Sequence, residues 1–394
     1  MPRGGDSRPN QERRRPPATG AVQPRSTTLS LHCDSSMRTR HAHAWWAFAL
    51  AVSCTVGPRV GAQDSTISHT LPPVQTHGFI QVYYRTGDPL TKDGFRLRKA
   101  DLKFSGELSP HLRWRIGFDA AKTLTINKTI TEVSDSIALS DAVIDQRTRI
   151  LQDAALTYTV NRALGFDIGQ QIIPLSLEGT IPTSAVETVE RTMFIVERSR
   201  AGGLGDIRDI GVSANGRALD AVEYHVGVFN ETGESGGSTD TNDQKSIMGR
   251  VAFHAPKYPQ FQVGGSGGVE GGPTAQRRER AGGEAQFRTD LYTLRAEAMS
   301  ARDGTLRRFG WYGLGAVRPT TRLQFVARYD TWDRDRSHDV SIFDALERQV
   351  SVGGSYLIDE SIAKLAVNVV RQTFPTVTTV RAGTFLLVAF QAVW

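Results

Sequence analysis

From Gln63 onward the chain alternates between apolar and polar or small residues. In His111–Ala121, Leu112, Trp114, Ile116 and Phe118 hold one parity, and Arg113, Arg115, Gly117 and Asp119 hold the other. Ala221–Phe229 sets Val222, Tyr224, Val226 and Val228 against Glu223, His225 and Gly227; Leu164–Gln171 sets Leu164, Phe166 and Ile168 against Gly165, Asp167, Gly169 and Gln171. A period of two marks strands with one apolar face. Sixteen such segments can be placed, at 78–86, 94–107, 111–121, 150–160, 163–173, 207–217, 219–229, 246–254, 259–269, 279–289, 290–300, 307–318, 320–331, 346–357, 361–371 and 382–394. Some connections are tight, as at Val160–Ala163, Gly216–Asp220 and Arg318–Thr321, and others are long and polar, at 122–149, 174–206, 230–245 and 332–345. An even number of strands, each about ten residues long and joined by alternately short and long links, predicts an all-β, transmembrane, antiparallel up-and-down β-barrel of about 16 strands.

Solvent supplies the reason. In hydrocarbon every backbone N–H and C=O needs an internal partner, which only helices and closed barrels provide. One face of each strand meets lipid, and the other meets water and can carry charge. Alternation alone also fits a secreted soluble β-sandwich that binds carbohydrate. Against that reading, the segments exceed the ~5–6 residues usual for soluble strands, and the chain stops inside a strand. Leu386, Val388, Phe390, Ala392 and Trp394 share that strand's apolar face. A final strand with a terminal aromatic is the feature by which outer-membrane barrels engage the barrel-assembly machinery.

Charge changes the picture once it is divided. Residues 1–62 hold nine Arg and three acids and so account for the whole formal charge of +6; the remainder is balanced, with 38 bases and 38 acids. The basic excess belongs to the leader, and nucleic-acid binding, which needs a basic footprint on the folded part, is excluded. Met37–Arg40 is cationic, Ala44–Val52 is apolar, and Val60-Gly61-Ala62 is small, the layout of a signal peptide cleaved after Ala62. The expected organisation is an upstream Pro/Arg/Ser-rich extension (1–36), a signal peptide (37–62), a lead-in (63–77) and the barrel (78–394). Both cysteines, Cys33 and Cys54, fall in the leader, which removes thiolate metal sites and cysteine nucleophiles from the exported chain.

In a pore the chemistry is the field at the constriction, and rings of arginine favour anions. Arg113, Arg115, Arg250, Arg295 and Arg328 have the lumen parity of their strands and are the pore-lining candidates. The bland alternative for each is a salt-bridge lattice with Asp119, Glu223 and Glu297 that braces the wall. Arg96 and Arg98 share the parity of Leu102 and Phe104, which places them toward lipid at the membrane edge. Trp114, Trp311, Tyr312, Tyr329, Trp332 and Trp394 suit aromatic girdles at the two interfaces. Gly264-Gly-Ser266-Gly-Gly268 matches the spacing of a hydrolase nucleophile elbow but lacks the following helix that the elbow requires. The histidines after Gln63 are scattered, without metal-ligand spacing. No catalytic, cofactor-binding or metal residues are assigned.

Several stretches carry a resemblance. Gly78-Phe-Ile-Gln81 opens the first strand, followed by Phe95–Ser109 and Trp114–Asp119. Asp167-Ile-Gly-Gln-Gln-Ile-Ile-Pro-Leu-Ser-Leu-Glu178 runs on to Phe194-Ile-Val-Glu-Arg-Ser199 and Arg208-Asp-Ile-Gly-Val212. These resemble the phosphate-selective porins O and P. The resemblance implies sixteen strands, a homotrimer in outer-membrane lipid, and passive diffusion of small hydrophilic solutes, anions such as phosphate foremost. It also implies that 174–206 folds into the lumen as a constriction loop, with Glu187, Glu190, Arg191, Glu197, Arg198 and Arg200 as its charged candidates. An outer-membrane barrel hydrolase is the rival function; it would need a Ser/His/Asp set on the outer loops, and none is visible.

Overall fold

The computed structural model describes residues 72–88, 91–124, 126–133, 136–144, 150–196, 203–230, 244–271, 277–337, 345–358, 362–377 and 382–394. The expected extension and signal peptide lie outside the described residues.

Sixteen strands close into one barrel in which each pairs antiparallel with its neighbours in the chain. They are β1 (Gln75–Thr86), β2 (Gly94–Ser109), β3 (Leu112–Asp119), β6 (Leu151–Asn161), β7 (Leu164–Ile172), β8 (Arg208–Ala218), β9 (Val222–Phe229), β10 (Ser246–His254), β11 (Phe261–Glu270), β12 (Arg278–Arg288), β13 (Tyr292–Asp303), β14 (Leu306–Val317), β15 (Leu323–Asp333), β16 (Leu346–Ile358), β17 (Ala363–Thr373) and β18 (Gly383–Val393). Each expected segment corresponds to one of them. β4 (Ile126–Val133) and β5 (Ser136–Ile144) form a separate two-stranded hairpin between β3 and β6, in a stretch expected to be plain connection.

The barrel closes where β1 meets β18, in register from Phe79↔Val393 to Thr86↔Leu386. Gly78 N donates to Trp394 O at 2.8 Å, and Trp394 N donates to Gly78 O at 3.1 Å. The Trp394 indole lies across Gly78, so that a Cβ there would stand 2.0 Å from a ring carbon. Glycine is the residue that admits this ring at the seam. Gly78→Leu is expected to displace the indole at an overpacking cost of ~1–3 kcal/mol and to lower the folded fraction, read as the heat-modifiable band on a semi-native gel. An unchanged band would show that the indole does not help close the seam.

The two faces of the wall separate as their parity requires. Val251, Leu294 and Val352 are more than half exposed on the outside, whereas their neighbours Arg295 and Ser351 are buried on the inside. Trp311 and Tyr329 pack outward as a tilted pair with ring centroids 5.3 Å apart, and Trp394 is exposed beside the seam. Tyr312 and Trp332 do not join the girdle. Both are fully buried on the inner face against Phe194. Adjacent residues of one strand face opposite ways, so Trp311 and Tyr312 could not both have met lipid.

A second correction concerns β2. Gln81 pairs with Lys99, but Val82 pairs with Leu97, which leaves Arg98 as the extra residue of a β-bulge. The bulge reverses parity along the strand. Phe95 and Leu97 take the exposed side. Arg96 lies opposite the inward-facing Tyr83, and Arg98 turns into the lumen instead of toward lipid.

Candidate functional site

The segment between β7 and β8 folds into the barrel, and much of the inner wall is built to receive it. Its short helical turns Leu177–Thr180 and Met193–Val196 bury Leu177, Met193, Phe194 and Ile195. Met193, Phe194 and Ile195 pack with Leu175 and Leu204 on inward Phe229, Met248, Met299, Tyr312, Leu314 and Trp332. Val189 seals a second apolar patch of Tyr83, Ala366, Val370, Phe385, Leu387 and Ala389. Fully burying residues of this size contributes roughly 1.5–3 kcal/mol each, which draws the loop into the lumen.

Polar anchors set its position. Glu297 on β13 accepts from Leu177 N and Glu178 N at 2.8 and 3.1 Å. Asp330 on β15 accepts from Thr192 Oγ1 and Met193 N at 2.9 and 3.0 Å. Arg295 holds Glu187 through two bonds of 3.0 and 3.1 Å, both side chains buried. Arg328 donates to Thr188 Oγ1, Glu190 O and Arg191 O at 3.0, 2.9 and 3.2 Å, and stands 3.6 Å from both Glu178 and Asp330. Farther round, Asn368 Oδ1 accepts from Val189 N, Lys364 Nζ donates to Val186 O, and Gln391 Nε2 donates to Ser184 O. Arg98 donates to Val189 O and lies 3.2 Å from Glu190. Ser266, the serine of the elbow-like motif, sits on β11, where its hydroxyl accepts from Ser176 N at 3.0 Å.

The loop therefore packs on the wall from β9 round to β18, touches β1 and β2 at Tyr83 and Arg98, and leaves a gap against the rest of β1 and β2 and against β3, β6 and β8. A cavity of about 330 Å³ lies there, bounded on the loop side by Thr180–Ser184, Arg191 and Asp206 and on the wall side by Lys99, Asp101, Lys103, Arg115, Asp153 and Arg208. An adjoining cavity of about 200 Å³ shares Lys99, Thr183, Arg191 and Asp206 and adds Arg98, Asp119 and Lys122. Five cations face three carboxylates in the first cavity and four face two in the second, an excess of two in each. Lys99 lies 3.2 Å from Asp119, and Arg208 lies 3.4 Å from Asp153 and 3.1 Å from Asp206. Lys103 is exposed to the lumen and makes no ion pair among the described residues. Asp119 and Asp167, which hold Lys99 and Arg115, stand behind the lining of the first cavity, so it is mainly bases that face the gap and give it a positive surface.

The five candidate arginines all face inward but do different things. Arg115 lines the passage and holds Asp167 at 3.0 Å. Arg113 sits exposed near the β2–β3 turn, 3.3 Å from Glu107. Arg250 braces the wall through Glu284 and Glu223. Arg295 and Arg328 are covered by the loop and anchor it. Of the loop candidates, Glu187 and Arg191 are buried, and Arg191 curls the loop on itself through Glu178 O, Ile181 O and Thr183 Oγ1. Glu190 meets Arg98, while Glu197, Arg198 and Arg200 lie outside the described residues. Sequence reasoning missed Lys99, Lys103, Arg208, Asp101, Asp153 and Asp206. Lys99, Asp101 and Lys103 do alternate with Ala100, Leu102 and Phe104, a stripe that was readable.

Comparison with known proteins places this geometry. The sequence profile of the phosphate-selective porin O and P family matches residues 74–298, more than half of the chain. No curated protein matches. Among solved structures, an anion-selective porin from Comamonas acidovorans is similar at 12% identity and a TM-score of 0.54, covering 82% of this chain and 99% of its own. The outer membrane channel DcaP of Acinetobacter baumannii is similar at 13% identity and a TM-score of 0.54, covering 83% and 99%. OmpT of Vibrio cholerae, an outer membrane protein in its trimer form, is similar at 11% identity and a TM-score of 0.53, covering 82% and 100%.

Proposed function

The chain belongs to the phosphate-selective porin O and P family, and from that premise we propose that this outer-membrane porin passes small hydrophilic anions, phosphate among them, by electrodiffusion. The observation that carries the proposal is the cationic surplus where the inserted loop narrows the lumen, at Lys99, Lys103, Arg115 and Arg208. An anion in the gap meets ammonium and guanidinium groups in place of lost hydration, and a cation meets a barrier. Paired carboxylates, Asp119 on Lys99 and Asp153 on Arg208, keep each cation from holding an anion so tightly that it cannot leave. The passage needs no covalent step and no cofactor.

Three expectations complete the reading: export by a signal peptide cleaved after Ala62, insertion by the barrel-assembly machinery acting on the strand that ends at Trp394, and assembly as a homotrimer, the state in which OmpT of Vibrio cholerae is recorded.

Planar-bilayer recording of the purified mature chain tests the function. In a KCl gradient the reversal potential is expected on the anion side, and added phosphate is expected to reduce chloride current through competition for the same gap. Cation preference would overturn the anion assignment and leave the channel standing. Absence of conductance from protein with the folded band would overturn both.

A further inference from the structure

The outer surface carries a second set of arginines, which the passage does not use. Strand parity places Arg302 on the exposed face of β13, Arg307 on that of β14, Arg348 on that of β16 and Arg371 on that of β17. All four stand at the end of the barrel that carries the long connections, one or two residues beyond the apolar band. Arg348 tops Val350 and Val352, and Arg371 tops Val369. Arg336, just past β15, joins them by laying its guanidinium over the Phe309 ring, 5.8 Å from the centroid.

Two features separate this crown from scattered surface charge. Arg302 and Arg307 are direct cross-strand partners, and like charges so placed destabilise a sheet unless something lies between them. The acid opposite Arg302, Glu279, is already engaged by Arg277 at 3.1 Å; Asp333, opposite Phe309, is a further carboxylate at this end among the described residues. Three of the guanidiniums are also positioned in advance. Arg302 Nε donates to Gly304 O at 3.1 Å, Arg371 Nη1 donates to Thr384 Oγ1 at 3.0 Å, and Arg336 rests on Phe309. Arginine facing lipid at mid-bilayer costs ~2–4 kcal/mol, whereas at the interface the cost falls toward zero. There its planar fork matches phosphate oxygens.

We infer that the Arg302–Arg307–Arg336–Arg348–Arg371 crown binds the phosphate groups of an anionic lipid headgroup in the outward leaflet, with the lipid's acyl chains lying along the valine-rich faces below. This rests on the outer-membrane reading. A phosphate between Arg302 and Arg307 relieves their repulsion, and the aliphatic rows on β16 and β17 give the chains a surface of matching polarity.

The test is lipid retention by the full mature protein in detergent, followed by native mass spectrometry. The probes are a diphosphorylated glycolipid of the lipid A class and its dephosphorylated counterpart, each with and without excess inorganic phosphate. Wild-type protein is expected to retain the diphosphorylated lipid at least about tenfold better, and the triple variant Arg302→Gln/Arg307→Gln/Arg348→Gln is expected to lose about fivefold for each arginine removed. Equal retention of the two lipids, or retention unchanged in the variant, would overturn the inference. Displacement of the lipid by inorganic phosphate would mark a free-anion site and overturn it as well. The arginines face away from the lumen, so the variant's conductance and ion selectivity should match wild type, which also confirms its fold. Should the variant fail to fold, the wild-type comparison of the two lipids decides alone. A porin reading that failed would show instead as wild-type protein without conductance, whatever its lipid retention.

Discussion

Arg295→Met combined with Arg328→Met is expected to free the inserted loop and to raise single-channel conductance at least about twofold, since the gap's diameter governs flux. Arg328 reaches Thr188, Glu190, Arg191 and Glu178 on the loop together with Asp330 on the wall. Removing it leaves those carboxylates buried without their cation, a loss of ~3–5 kcal/mol for a broken buried pair. Arg295→Met strands Glu187 in the same way. The barrel's own ladder is untouched, so the heat-modifiable band should persist while the channel widens and its selectivity falls. Wild-type conductance from the folded double variant would show that the apolar contacts of Phe194, Ile195 and Met193 hold the loop without the ion pairs.

Lys99→Gln with Lys103→Glu is expected to move the reversal potential across zero. The exchange removes three units of positive charge from a cavity that holds a surplus of two. An elementary charge at 4 Å contributes ~1 kcal/mol even at the dielectric of water, so with three charges removed the anion-to-cation permeability ratio should fall by at least about tenfold. Lys103 makes no ion pair among the described residues, and glutamine at position 99 can still donate to Asp119, so the fold has little reason to change. High salt should shrink the difference, because the Debye length is ~10 Å at 0.1 M. A ratio unmoved at low salt would sink the assignment of selectivity to this gap.

The barrel was legible because its lipid face is continuous. In segments such as Leu112–Phe118 nothing competes with period two, and every such segment became a strand. Legibility failed where a local irregularity or a distant partner decided the outcome. The bulge at Arg98 reverses parity within β2, and alternation read from the Leu102 end cannot show it. The hairpin at Ile126–Ile144 hid inside what read as connection, although Ile126, Thr129 and Ile130 are good strand residues. Trp332 and Tyr312 looked like girdle residues, as aromatics on a lipid-exposed barrel do, until the loop supplied them with an interior. The same cause separates the candidate arginines. Arg115, Arg295 and Arg328 share an inward parity, and only the loop's landing area determines which of them meets water. That area is assembled from β11, β13, β15, β17 and β18, elements up to some two hundred residues from the loop, beyond what local pattern can indicate.

The anchors of the loop also set a temporal order. Apart from Arg98, the polar groups that hold 176–192 to the wall, from Ser266 to Gln391, follow the loop in the chain. Contacts of such sequence separation form late, after their loop-closure entropy has been met. The loop can therefore reach its final place only once those later strands are present, so the bore cannot narrow before the half of the wall that follows the loop has been built.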